Sequence, residues 1–285
     1  MSHKKSSPEK QIRRDSGVFK WILIALSALF LFLLLILPLL TVVVNSVAKG
    51  FSFYKNAIAD TYALKALKLT LTATIWAILI NTVFGLFAAW ALTKFRFHGK
   101  KVLMTLIDVP VTVSPIIAGL IFILIFGRQS AIFPILKAHH IQIVFAVPGI
   151  ILATVFVTFP FVSRELIPVL ESSGTDEEEA AALIGANWFT IFTRVTFPHI
   201  KWAFLYGIVL CTARAMGEFG AVSVLSGHLR GKTNTLPLHI EILFNEFQYV
   251  SAFAVSSILV FLAIVVLILR SILEKLGKKA LEANR

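Results

Sequence analysis

The sequence predicts an all-α integral membrane protein with six transmembrane helices, and three observations carry that expectation. Hydrophobic residues make up 58% of the 285 positions and charged residues only 15%, with 25 phenylalanines. That is more apolar surface than a soluble fold of this size has interior to hold. Apolar runs recur along the chain at about 20 residues, the length that crosses a hydrocarbon core as a helix. The Lys and Arg residues gather in short clusters between those runs. Helices suit this setting because they satisfy their own backbone hydrogen bonds where no water can.

The spans follow in order. The first runs from Trp21 to about Val44 with Pro38 inside it, after a polar, basic tail (residues 1–20). This run is too long for a secretory signal and no small-residue cleavage pattern closes it, so it reads as an uncleaved helix. The others are Leu69 to Thr93, Val102 to Phe126, Ile141 to Val162, Trp202 to Leu225 and Ser251 to Leu269, with Pro110, Pro115 and Pro148 inside them as expected kinks. Six spans put both termini on one side. The terminal tails (1–20 and 270–285), the loop Lys94 to Lys101 and the long loop 163–201 carry 18 of the 27 Lys and Arg; the opposite loops carry 8, and Arg214 lies in a span. The excess marks the cytoplasmic side, so both termini are expected there.

Several function classes drop out. A net charge of +12 invites a nucleic-acid reading, but no basic stripe is interleaved with stacking aromatics, and the membrane accounts for the clusters. The single cysteine, Cys211, excludes an intramolecular disulfide and reads as a packing residue. His139–His140 lack further ligands, so no metal is assigned. The stretch Gly227 to Thr233 contains Gly231-Lys232-Thr233, yet a phosphate loop needs glycine where this chain has Ser226. Nucleotide binding and catalysis by this chain alone are therefore not expected.

The loop between the fourth and fifth spans is the most informative stretch. Thr175 is placed to cap a helix with Glu178 as its capping-box partner, and Asp176, Glu177 and Glu178 fill a first turn where the helix dipole favours acid. An alanine-rich helix follows, Gly185 ends it in a left-handed cap, and a second short helix runs from about Trp188 to a turn at Phe197-Pro198. An amphipathic hairpin lying on the membrane is the plain alternative, and anionic headgroups would repel its acidic run. Glu179-Ala180-Ala181, Gly185 and then Val195-Thr196-Phe197-Pro198 resemble the EAA motif of binding-protein-dependent ABC importer permeases. The usual pattern ends Ile-x-Leu-Pro; Val195 and Phe197 depart from it while staying apolar. The resemblance implies that Glu179, Ala180, Ala181, Gly185, Val195, Phe197 and Pro198 form a coupling segment that docks in a cleft of an ATPase subunit.

Two further stretches, Asp108 to Leu120 and Arg214-Ala215-Met216-Gly217-Glu218-Phe219-Gly220-Ala221-Val222, resemble oxyanion permeases of the sulfate and molybdate group. With the stretch Ser226 to Leu238, the chain is most similar to W-type permeases of sulfate/thiosulfate importers; molybdate or tungstate is the alternative. Arg214 and Glu218 stand four apart at membrane depth, where an unpaired charge is costly. Two readings stay open: a neutralising pair that locks the fifth span, or part of a gate or oxyanion path. Thr112 and Ser114 beside two prolines are candidate donors to an anion, against ordinary bonding of hydroxyls back to their helix. Asp108 reads as paired with a basic neighbour. Arg230 and Lys232, in the outer loop from Ser226 to Tyr249, are candidate contacts for a binding protein.

The resemblance, firmest over residues 62–269, implies the type I ABC importer permease fold in a bacterial cytoplasmic membrane. It implies as partners a second related permease subunit, two ABC ATPase subunits, an extracytoplasmic sulfate-binding protein and the lipid bilayer, and no nucleic acid. No cofactor is expected on this chain; ATP and Mg belong to the ATPase partner. An ion-coupled secondary transporter is the alternative of another class, and it would show more intramembrane carboxylates and an inverted repeat.

Overall fold

A computed structural model describes residues 17–283, with side chains from 19 to 277. The tail cations Lys4, Lys5, Lys10, Arg13 and Arg14, and Arg285 at the other end, lie outside the described residues. The first helix, α1, runs Gly17–Leu31, passes through a π turn at Phe32–Ile36 and continues as Leu37–Ser46. Then come α2 (Phe51–Ile58), α3 (Thr61–Lys94), α4 (Lys100–Thr112), α5 (Pro115–Phe126) and α6 (Phe133–Ala138). Helix α7 covers Val147–Ser173, and α8 (Asp176–Leu183) and α9 (Trp188–Met216) follow. The chain ends with α10 (Gly220–Ser226), α11 (Leu236–Asn245) and α12 (Tyr249–Ala283). Among the described residues, five helices are long and apolar enough to cross a membrane, and the bent pair α4–α5 makes a sixth crossing if it is one span.

Three interior clusters hold the bundle. One joins α3, α7, α10 and α11 through Leu69, Ile150, Ala153, Val222, Leu225 and Leu238. A second joins α3, α11 and α12 through Ala63, Ala66, Leu236, Leu243 and Val255. The third, at the other end of α3, packs Ala89 against Val162, Leu166, Leu170, Ile200 and Cys211 of α7 and α9. The core face of α3 is mostly alanine and glycine, which lets helices approach closely where apolar burial gives little gain over lipid. Gly85 rests on Val162: a Cβ there would meet Val162 Cβ at 2.9 Å. By contrast, α1 has no buried residue in its apolar window.

Proline has three different outcomes here. Pro38 and Pro198 each sit one residue after an i→i−5 bond, from Leu37 N–H to Phe32 O and from Phe197 N–H to Phe192 O. A π turn widens the helix just before the ring, so the helix continues past a residue that would otherwise clash with the preceding turn. The expected turn at Phe197-Pro198 is therefore absent, and α9 runs unbroken from Trp188 to Met216. Pro115 has no such turn before it, and α4 and α5 meet at 108°. Pro148 starts α7 instead of kinking it, which moves the fourth span: Ile141 to Ala146 lie outside the helix, and α7 runs on to Ser173.

Candidate functional site

Three regions carry the residues singled out by sequence: the loop after α7, the breaks in the third and fifth spans, and the stretch after α10. In the loop, α8 opens with Asp176, Glu177, Glu178 and Glu179 in its first turn. The expected capping box does not form. Thr175 makes no side-chain bond to the helix backbone, and its hydroxyl donates to Glu179 Oε1 at 2.8 Å. Glu178 turns the other way, 3.0 Å from Lys94 Nζ and accepting from Thr196 Oγ1 at 2.6 Å. A charged amine and a hydroxyl offer that carboxylate more than one exposed backbone amide does. Lys94 also donates to the Gly174 carbonyl at 2.7 Å, and His199 Nε2 lies 2.9 Å from Glu177. The loop is thereby tied to the end of α3 and the start of α9.

Gly185 does cap α8 in the left-handed region, at φ +86°. Ala186 N–H donates to the Ala181 carbonyl and Gly185 N–H to that of Ala182, both at 3.0 Å, as in a Schellman turn. The next helix opens on Asn187, whose side chain accepts from Thr190 N–H at 2.8 Å. Between them the tip projects apolar residues into the open: Leu183 is 88% exposed, Ile184 87%, Trp188 69% and Phe189 60%. The motif residues divide accordingly. Glu179, Ala180, Gly185 and Pro198 are exposed, Ala181 and Val195 are half-buried, and Phe197 packs into the third cluster against Phe204.

In the second region the helix of Arg214 ends at Met216, so Glu218, four positions on, lies beyond that helix and not on its face. The pair bridges the break instead: Arg214 Nη1 is 2.6 Å from Glu218 Oε2, while Glu218 Oε1 accepts from Ala221 N–H at 2.8 Å and so caps α10. The Glu218 side chain is 1% exposed and that of Arg214 is 32% exposed. This break packs on the other. A Cβ on Gly220 would meet Pro115 Cβ at 2.9 Å, and one on Gly119 would meet the Ala221 carbonyl at 2.6 Å. Glycine is needed at both places for α5 and α10 to touch. Thr112 donates back to the Val109 carbonyl at 2.9 Å, while Ser114, at the start of α5, makes no capping bond. Asp108 pairs with Arg164 at 2.6 Å across α4 and α7.

The stretch after α10 is not a free loop. Thr233 donates to the Ser226 carbonyl at 2.6 Å, Leu236 N–H donates to Thr70 Oγ1 at 2.7 Å, and Thr233 to Thr235 are buried. Arg230 is ion-paired with Glu246 of its own chain, beside a cleft of about 320 Å³ that also includes Asp60 and His239. Burial pushes the His239 imidazole below its ordinary value. Lys232 is exposed. Sequence reasoning missed Lys94 as the anchor of the loop after α7 and Asn81 as a buried polar tie. Asn81 donates to Thr158 Oγ1 at 2.7 Å and to the Val155 carbonyl at 3.1 Å. An asparagine in the middle of an apolar run was the available signal.

Comparison with known proteins agrees with this architecture. Residues 81–278 match the family described as "Binding-protein-dependent transport system inner membrane component". The chain is 44% identical over 255 residues to the Escherichia coli sulfate transport system permease protein CysW, covering 90% of this chain and 88% of that one. It is 43% identical to the Synechococcus elongatus protein of the same name, over 92% of both chains. Against the Salmonella typhimurium sulfate transport system permease protein CysT it is 35% identical, over 82% of this chain and 84% of that one. Among solved structures it resembles a chain of a bacterial alginate ABC transporter crystallised with its pentasaccharide-bound periplasmic protein. The TM-score is 0.75 at 17% identity, covering 96% of this chain and 98% of that one, a likeness of fold. With its spanning helices, its projecting loop after α7 and that match over most of its length, the chain belongs to the family of binding-protein-dependent transport system inner membrane components, with the type I ABC importer permease fold.

Proposed function

We propose that this chain is a permease subunit of an ATP-driven importer that carries sulfate or thiosulfate across a bacterial cytoplasmic membrane. The 44% identity over 90% of the chain to a sulfate transport system permease protein carries this reading. Its partners are a second related permease subunit, two ABC ATPase subunits holding ATP and Mg, and an extracytoplasmic sulfate-binding protein. The exposed tip of Leu183, Ile184, Trp188 and Phe189 supports the ATPase contact, because so much apolar surface beside an acidic helix suits a protein cleft better than water. Glu179, Ala180, Ala181 and Gly185 lie on or beside the docking helix; Val195, Phe197 and Pro198 belong to the segment that carries its movement into the bundle. Closure of the ATPase pair on ATP draws two such loops together, and the Lys94–Glu178–Thr196 ties pass that motion to α3 and α9.

The adjoining breaks after Thr112 and Met216 are the proposed place on the anion path. Ser114 and Arg214 offer donors there, and Glu218 keeps the guanidinium from holding a dianion too tightly. Arg230 and Lys232 face the binding protein, with both termini of the chain on the opposite, cytoplasmic side. Expression in cells lacking their own W-type sulfate permease, followed by uptake of labelled sulfate, tests the reading. ATP-dependent sulfate uptake is the expected result. Uptake of molybdate alone, or uptake driven by a proton or sodium gradient without ATP, overturns it.

A further inference from the structure

The loop between α5 and α7 lies at the end of the bundle opposite the coupling loop, since α7 leads from one to the other over 27 residues, about 40 Å. It encloses a cleft of about 510 Å³ that none of the functions above uses. One wall is apolar, from Ile123, Phe126 and Phe133, and the rim carries Arg128, Lys137 and His140. The chain has no Asp or Glu between Asp108 and Glu165, and neither Arg128 nor Lys137 is in a salt bridge among the described residues. These cations also stand on the side of the membrane where Lys and Arg are scarce, so their grouping calls for a reason.

The cleft wall is held in place. His140 (φ +53°) and Phe145 (φ +59°) both adopt the left-handed region, which side chains other than glycine occupy at some cost. Phe145 N–H donates to the Leu225 carbonyl at 2.9 Å, and its ring lies so close over Gly227 that a Cβ there would meet it at 2.6 Å. Beside the cleft, α5 turns Leu124 (66% exposed) and Leu120 (50%) outward as a lipid-facing surface.

We propose that this cleft binds one anionic phospholipid, with the phosphate held by Arg128 and Lys137 and the upper acyl chain laid against Ile123 and Phe126. The match is one of amphiphilic shape. A hydrated inorganic anion has no use for the apolar wall, and the cations complement a charged headgroup at the depth where the helix meets water. The inference rests on the membrane placement of the chain and is independent of which anion it transports.

The whole transporter complex is taken up from phosphatidylcholine vesicles doped with phosphatidylglycerol, washed in detergent, and the retained phosphatidylglycerol is measured by mass spectrometry. Arg128→Gln and Lys137→Gln are each expected to lower retention about fivefold, and together roughly 25-fold. A photoreactive phosphatidylglycerol is expected to crosslink within residues 123–145. Ile123→Trp, which fills the cleft with the charges in place, lowers retention likewise and carries the test if the double variant does not assemble. Unchanged retention in the variants overturns the proposal. So does displacement of the lipid by millimolar phosphate or sulfate, which marks a free-anion site. Weakened association with the binding protein at full lipid retention overturns it too, because the cations then serve that partner.

Discussion

Glu178 and Glu218 are both carboxylates paired with a cation, and they do opposite kinds of work. Glu178 lies at the edge of the water, joins three elements through Lys94 and Thr196, and keeps a fifth of its side chain exposed. Glu218 is sealed at 1% exposure, and with Arg214 it spans a break within one stretch of chain while capping the helix beyond. The first pair ties three separate elements together at the loop after α7. The second holds an irregular backbone at membrane depth, where open carbonyls and amides must find partners inside the protein. The difference teaches that the cost of losing a pair follows what its survivor is left with. Around Glu178 water can enter, whereas around Glu218 it cannot.

The sharpest way to break this comparison is Arg214→Gln. It leaves the buried Glu218 carboxylate without its cation and is expected to cost about 3–5 kcal/mol, read as lowered thermal stability of the purified complex. Arg214→Gln combined with Glu218→Gln should recover most of that loss, since no charge is then buried and the side-chain oxygen still caps Ala221. A singly substituted complex of normal stability that fails to take up sulfate would show that the pair serves the anion path without holding the break.

Next in size is Leu183→Asp at the exposed tip. It should leave the stability of the permease unchanged and weaken ATPase association roughly thirtyfold, about 2 kcal/mol, in copurification. Full association would show that the tip is not the docking surface. Glu178→Gln is expected to cost about 1–3 kcal/mol by weakening the tie to Lys94. Glu179→Gln, whose side chain meets only Thr175 in the open, should cost under about 0.5 kcal/mol. Thermal stability beside sulfate uptake per ATP hydrolysed separates the two, and equal losses would erase the distinction drawn between them. Gly185→Ala should cost the fold about 1 kcal/mol, because φ +86° is strained for any residue with a Cβ. Nothing else crowds that position: a Cβ there would have no atom within 4 Å.

Much of the loop after α7 was legible because its signals are local. Gly185 past an alanine-rich run and acids in a first turn depend only on a few neighbouring residues, and the left-handed cap is found where the spacing puts it. Even there, the sequence favours Thr175 and Glu178 as a capping box, and the structure commits Glu178 to Lys94, 84 positions earlier. Local spacing cannot weigh a partner that only folding brings near. The same holds at the proline positions. Pro115 and Pro198 look alike in sequence, yet one ends in a 108° bend and the other inside a continuous helix. What separates them is a widened turn at Phe192–Thr196 in one case and, in the other, a second broken span packed against the bend through Gly119 and Gly220.

By itself the sequence determined that this chain belongs in a membrane, about where it crosses, and which loop carries the family's motif, because apolar length and a contiguous motif are properties of adjacent residues. Only the tertiary structure decided which helices break, which carboxylate anchors the loop and that Arg214 and Glu218 face each other across a gap. Those outcomes depend on groups far apart in the chain competing for the same few buried hydrogen bonds and the same close contacts.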